Sequence, residues 1–158
     1  MNMKDQPQVK TAQMAIRSLE DSLPIQLLKV HDLVMAYFRP MLHRFGMTDQ
    51  QWRVLRAVAS GINDFAELAQ ATHIQPASLS RMLITLQNRG WTTRAISNRD
   101  RRQRTVTMTT DGWALFQEAS HETEAIYARL EADLSANYAE LLAQLRIAVA
   151  HIPASRTP

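Results

Sequence analysis

The chain contains no cysteine among its 158 residues. That absence excludes disulfides, thiolate nucleophiles, thiol redox sensing and cysteine-based zinc sites. Glycine and proline are scarce, at four and six. Few tight turns are therefore expected, and long helices are favoured. No stretch reaches the roughly 18 consecutive apolar residues that read as a membrane-crossing helix. Residues 1–13 are polar and lack the apolar core of a secretory signal. A cytoplasmic protein with no membrane partner is expected. The length suits one domain, or one domain with an oligomerisation arm. Hydrophobic residues, at 46%, are enough for a core.

Signs of catalysis are missing as well. The histidines, His31, His43, His73, His121 and His151, are scattered, and no pair has a metal-ligand spacing with a third ligand nearby. His121-Glu122-Thr123-Glu124 reads better as an acidic helix surface than as part of a metal site. There is no glycine-rich phosphate loop, nucleophile elbow or paired-acid motif. No catalytic residue, metal or cofactor is expected, and the chain does not read as an enzyme.

What is present is unevenly placed charge. The net charge is only +3. Residues 72–108 nevertheless hold seven arginines (Arg81, Arg89, Arg94, Arg99, Arg101, Arg102, Arg104) against one acid, Asp100. Residues 109–150 hold seven acids and two arginines. A basic middle beside an acidic end is the footprint of a nucleic-acid-binding face carried on a different kind of module.

Local signals divide the chain into elements. Residues 1–22 read as a loose tail. Ser22 and Pro24 can open a first helix. Leu27, Leu28, Leu33, Val34, Phe38, Met41, Leu42 and Phe45 recur along it at helical spacing, and Val30, His31, Met35 and Tyr37 widen the stripe. A helix so broadly apolar needs two partners, one of which can be another subunit. Gly46 ends it. Thr48 and Gln51 form a capping box for a second helix that buries Trp52, Leu55, Val58 and Ala59. Asp64 can cap a short third helix with Phe65, Leu68 and Ala69 inside. A turn at Thr72-His73-Ile74 leads to a fourth helix, with Gln75 at its cap and Pro76 in its first turn, running to about Asn88. Its core face is Leu79, Met82, Leu83 and Leu86. Its outer face offers Ser78, Arg81, Thr85 and Asn88. Residues 91–97 and 104–109 alternate like strands joined by an arginine-rich loop. Thr109 caps a long helix carrying Trp113, Leu115, Phe116, Ile126, Tyr127 and Leu130. A last helix near 137–150 carries Tyr138, Leu141, Leu142, Leu145 and Val149.

Two short helices joined by a tight turn, the second polar on its outside, make a helix-turn-helix. A hairpin directly after it is a wing. The fold class is thus mainly α: a winged helix-turn-helix with a small β-hairpin wing and a helical dimerisation module. Residues 48–109 are the DNA-binding domain, and residues 23–47 with 110–152 are the dimerisation module. The double-stranded DNA contacts expected are Gln75, Pro76, Ser78, Arg81 and Thr85 on the fourth helix. Arg99, Asp100, Arg101, Arg102 and Arg104 are expected to contact it from the wing. The wing arginines suit the backbone or a narrow minor groove. Asp100 can pin one of them through paired hydrogen bonds.

The wing stretch Ser97-Asn98-Arg99-Asp100-Arg101-Arg102, followed by "VTMTTDG", resembles the MarR family of transcription regulators. That family's pattern is Asp-x-Arg-Asp-x-Arg, then an alternating strand and Leu-Thr-x-x-Gly. Arg99, Asp100, Arg102, Thr109 and Gly112 match it, Ser97 stands for the first Asp and Met108 for the Leu. The resemblance covers residues 23–150. It implies a winged helix-turn-helix homodimer joined through its first and last helices. Such a dimer sits on a pseudo-palindromic operator, usually as a repressor, and is released by a small molecule. Phe38-Arg39-Pro40 and residues 50–56 are similar to the regulators of aromatic-acid catabolic operons, of the homoprotocatechuate and hydroxycinnamate type. That likeness implies an aromatic carboxylic acid as effector.

An acid effector needs a cation and an apolar wall. Arg39 or Arg53 could supply the charge, with His31, Tyr37, Phe38 and Trp52 as wall or hydrogen-bond donors. The competing readings are plain. Trp52 is pure core, Arg39 fixes helix packing or a dimer salt bridge, and His31 is a satisfied core histidine. The alternative function is an architectural DNA-binding protein with no effector.

Overall fold

The structure is a computed structural model that describes residues 17–96 and 104–152. Within them the order is α1 Leu23–Arg44, α2 Asp49–Ala59, α3 Phe65–Thr72, α4 Pro76–Asn88, β1 Thr92–Ile96, β2 Arg104–Met108, α5 Thr110–Leu134 and α6 Asn137–His151. The fold is mainly helical with one antiparallel hairpin. Contacts divide the chain into two compact units, Met1–Leu33 and Val34–Pro158, and α1 runs through the boundary.

In the first unit the Gln26 side chain donates to the Glu20 carbonyl at 2.9 Å, tying the start of α1 to the residues before it. Leu23, Leu27, Leu28 and Leu33 are exposed. His31 is exposed too, with its Nδ1 3.8 Å from the Asp32 carboxylate. Within the single chain His31 is therefore not part of the core. A helical stripe gives the direction of a side chain but not what covers it.

The second unit holds the core. Thr48 caps α2 as its spacing predicts: its hydroxyl accepts from the Gln51 amide at 3.1 Å, and Gln51 Oε1 accepts from the Thr48 amide at 3.0 Å. This lets Gln51 sit buried beside Trp52, Val54, Leu55 and Val58. Phe38, Met41 and Leu42 of α1 pack into the same cluster, with Leu68 of α3 and Leu79, Leu83 and Leu86 of α4. Val106, Met108, Ala119 and Ile126 complete it. Each fully buried leucine contributes roughly 1.5–3 kcal/mol relative to exposure. Met82, expected on the core face, is half-buried.

The hairpin pairs Thr92 with Met108 and extends to Ile96 opposite Arg104. Thr92, Val106 and Met108 point inward, while Thr93 and Thr107 point outward, as a two-residue period requires. The base of the wing is anchored to the segment before α3. The Val106 amide donates to the Asn63 carbonyl at 2.8 Å, and Asp64 bridges to Thr105.

The helices after the wing differ in burial. Thr109 caps α5 by accepting from the Gly112 amide at 2.9 Å. Trp113, expected in the core, is 42% exposed, with its ring edge-on to Phe116. In α6 no residue is buried, although the helix carries the expected apolar side chains. No described helix is long and apolar enough to cross a membrane.

Candidate nucleic-acid interface

The reading head is built from local signals outward. Asp64 caps α3 by accepting from the Ala66 and Glu67 amides at 2.8 and 3.1 Å. The helix then runs through Thr72, because the Thr72 hydroxyl bonds back to the Leu68 carbonyl at 2.6 Å and the side chain is buried. The turn is thus residues 73–75, one residue later than expected. His73 closes α3 in the left-handed region, with φ 52°. The Ile74 amide donates to the Ala69 carbonyl, which completes the cap.

Gln75 occupies the cap of α4 without a side-chain bond, and Pro76 fills the first helical position, where no amide partner is needed. With Leu79, Leu83 and Leu86 held in the core, the opposite face must point outward. Gln75, Pro76, Arg81 and Thr85 are exposed, and Ser78 is half-buried. Arg81 makes one long contact, Nε to the Ala77 carbonyl at 3.4 Å. Its terminal nitrogens meet no partner among the described residues. The Thr85 hydroxyl donates to the Arg81 carbonyl at 3.2 Å.

Two of the seven clustered arginines are engaged by carbonyls of the protein. Arg94 is half-buried and donates from Nη2 to the Ser80 carbonyl at 2.9 Å, fastening β1 to α4. Arg89 donates to the Gly46 carbonyl at 2.5 Å and lies 4.7 Å from the Trp91 ring centroid. The charge count takes both for surface charge, whereas their acceptors come from elsewhere in the fold. Arg99, Asp100, Arg101 and Arg102 lie outside the described residues. Arg104 is the first residue of β2, at the last described rung of the ladder.

The residues expected around an effector have different surroundings. Phe38 is buried, edge-on to Tyr127 with centroids 5.3 Å apart. Trp52 is also buried, 5.3 Å from Phe116, and its indole Nε1 has no hydrogen-bond partner among the described residues. Tyr37 donates to the Asp133 carboxylate at 2.6 Å, and this hydrogen bond to a carboxylate raises the phenol above the usual tyrosine range. Arg39 is exposed. Arg53 is engaged by the protein: Nη1 donates to the Thr72 carbonyl at 2.9 Å, and Nη2 stands 3.4 Å from Asp49. His31 belongs to the first unit.

Sequence reasoning missed one cation. Arg56, one turn after Trp52, donates from Nη1 to the Tyr127 hydroxyl at 3.2 Å. It meets no carboxylate among the described residues. Arg53 and Arg56 also line a groove of about 300 Å³ with Ala57, Ser60, Ile62, Ala71 and Thr72. The sequence signals for Arg56 are its i, i+4 spacing from Trp52 and its place in the stretch 50–56 that resembles the aromatic-acid regulators. Glu122, in the acidic stretch weighed as a metal ligand, is ion-paired with Arg44.

A helix-turn-helix whose second helix presents an open arginine, followed by a hairpin anchored to its base, defines a winged-helix DNA-binding protein. Comparison with known proteins agrees. The model of the MarR family matches residues 45–103. The chain is 34% identical over 128 residues to the homoprotocatechuate degradative operon repressor of Escherichia coli, covering 80% of this chain and 86% of that one. It is 32% identical over 140 residues to the HTH-type transcriptional regulator FarR of Neisseria gonorrhoeae, covering 88% and 96%. Among solved structures it is similar to NadR in complex with 4-hydroxyphenylacetate, at 31% identity and a TM-score of 0.73, covering 88% of this chain and 99% of that one. The chain belongs to the MarR family and is a DNA-binding transcription regulator, not an enzyme.

Proposed function

We propose that this regulator is a repressor that holds a pseudo-palindromic operator as a homodimer and leaves it when an aromatic carboxylic acid binds. Residues 48–109 form the reading head, and residues 23–47 with 110–152 the dimerisation module. The wing residues Arg99, Asp100, Arg101, Arg102 and Arg104 reach the DNA backbone or the minor groove, while Ser78 and Arg81 face base edges. The observation that carries the effector reading is Arg56. A guanidinium with no carboxylate partner among the described residues stands at the edge of an aromatic cluster, held only by the Tyr127 hydroxyl. A carboxylate is a stronger acceptor than a phenol. The ring of the acid would lie against the cluster of Trp52, Phe116, Tyr127 and Phe38. NadR, of similar sequence and fold, is known in complex with 4-hydroxyphenylacetate, which supports this class of ligand. Arg53 is less suited to hold the acid, because it already has two acceptors. Arg39 is the remaining candidate.

Replacing Arg56 or Arg39 by Met keeps bulk and removes charge. Arg56→Met is expected to weaken the response to 4-hydroxyphenylacetate by about ten- to a hundredfold, the worth of one hydrogen bond to a charged group. Operator binding without the acid should persist. Arg39→Met should respond like the parent. Thermal shift reads acid binding and anisotropy on labelled operator reads release. If all three proteins ignore the acid, the effector-independent reading replaces this one.

The dimer rests on the uncovered apolar helices. Leu142, Ile147 and Val149 of α6 are exposed, as are Leu23, Leu27, Leu28 and Leu33 of α1. Apolar surface of this extent needs a cover, and a second copy supplies it. Sedimentation at micromolar concentration should give about twice the chain mass of 18.0 kDa. A monomer there would refute the assignment.

A further inference from the structure

We infer that Arg53 is a positioning residue for operator reading: it pins the end of α3 and so fixes where α4 begins. The inference rests on α4 being the reading helix. It assigns to α2, a helix outside the helix-turn-helix, control over the placement of the reading face.

The last carbonyls of a helix have no intrahelical donor, and together they form the negative end of the helix dipole. In α3 the final residue is Thr72. The two carbonyls that the cap satisfies are those of Ala69 and Gln70, through the amides of Ile74 and His73. The Thr72 carbonyl is left over. Arg53 meets it with Nη1 at 2.9 Å, a cation at the negative end of a helix. Asp49, one turn earlier on α2, stands 3.4 Å from the other terminal nitrogen and orients the planar guanidinium. The Thr72 side chain is buried and bonded to Leu68, so the end of α3 is held from both its side chain and its carbonyl.

The link from Thr72 to α4 is short. His73 is in the left-handed region and is not glycine, a conformation that costs about 1 kcal/mol or more. Pro76 then opens α4. Only three residues, 73–75, separate the pinned carbonyl from the reading helix, so displacement at Thr72 passes to Ser78 and Arg81. A symmetric reader needs its two heads at a fixed separation, roughly 34 Å between half-sites. A small shift of each α4 therefore degrades specific binding while leaving phosphate contacts available.

The test uses the full-length protein with operator and scrambled duplexes at one salt concentration. Arg53→Met is expected to lower the ratio of operator to scrambled affinity by about tenfold. Binding to scrambled DNA should stay within about threefold of the parent. Arg53→Lys keeps the charge and a donor for the Thr72 carbonyl but lacks the rigid planar fork that spans that carbonyl and Asp49, and should recover part of the ratio. Amide exchange at His73 and Ile74 should be faster in Arg53→Met. Arg81→Ala runs alongside. If Arg81→Ala loses discrimination and Arg53→Met does not, the positioning role is overturned while α4 remains the reader. If both leave the ratio intact, the reading of α4 fails and the inference falls with it. A lowered melting temperature in Arg53→Met with an unchanged ratio would mean a merely structural role, and overturns it equally.

Discussion

Replacing Gly112 by alanine is expected to be the most damaging single-methyl change in the chain. A Cβ at Gly112 would stand 1.9 Å from the Trp91 carbonyl oxygen and 2.8 Å from its carbon. The obstacle is backbone, so no rotamer can yield. That backbone is held in turn: the same carbonyl accepts from the Thr109 amide at 3.1 Å, and the Thr109 hydroxyl donates to the Gly90 carbonyl at 2.5 Å. One residue, Thr109, therefore caps α5 and ties it to the start of the wing. Moving α5 away from Trp91 breaks both links. Overpacking costs typically about 1–3 kcal/mol, and a blocked backbone belongs at the upper end or beyond. For a chain of this size a loss of about 3 kcal/mol lowers the melting temperature by roughly 6–12 °C. Thr109→Ala, which removes the cap and the bond to the Gly90 carbonyl but introduces no clash, should cost about 1–2 kcal/mol. A parental melting temperature for Gly112→Ala would mean that α5 does not start against Trp91.

The contrast between Thr109 and Gly112 marks how far the sequence can be read. A cap and its amide lie two or three residues apart, so Thr48, Asp64 and Thr109 are legible one by one, and the elements they open are legible with them. Gly112 matches a family pattern, but its reason is a carbonyl on the far side of the hairpin. The turn after α3 falls one residue later than local signals suggest, because Thr72 stays helical through a buried bond to Leu68 that no local preference announces. A charge count is blind in the same way. Arg89 and Arg94 look like Arg81 in a string of letters, yet their acceptors are Gly46 and Ser80 carbonyls brought near by folding. For the effector, the sequence offers aromatic residues and arginines, but not which guanidinium is already engaged. Arg53 has its Thr72 carbonyl, and among the described residues Arg56 meets only a phenol.

Arg81→Ala is expected to lose discrimination between operator and random DNA, by about 1–3 kcal/mol if the side chain pairs with a guanine. The reason is availability. Arg81 lies on the exposed face of a helix whose other face is locked by Leu79, Leu83 and Leu86. Its terminal nitrogens meet no partner among the described residues, so both can engage a base edge without breaking a bond in the protein. Wing arginines should behave differently. On the proposed reading, Arg101→Ala and Arg102→Ala would each remove a contact to phosphate or minor groove that carries little sequence information. Binding should fall on operator and scrambled duplex alike, and the slope of log affinity against log salt should drop by about one. Anisotropy titrations of both duplexes over a range of salt separate the two behaviours in one data set. If Arg81→Ala instead weakened both duplexes equally and flattened the salt dependence, Arg81 would be a phosphate contact. Base reading would then pass to Gln75 and Ser78 at the start of α4, whose amide and hydroxyl can pair with base edges but change no salt slope, since neither carries a charge.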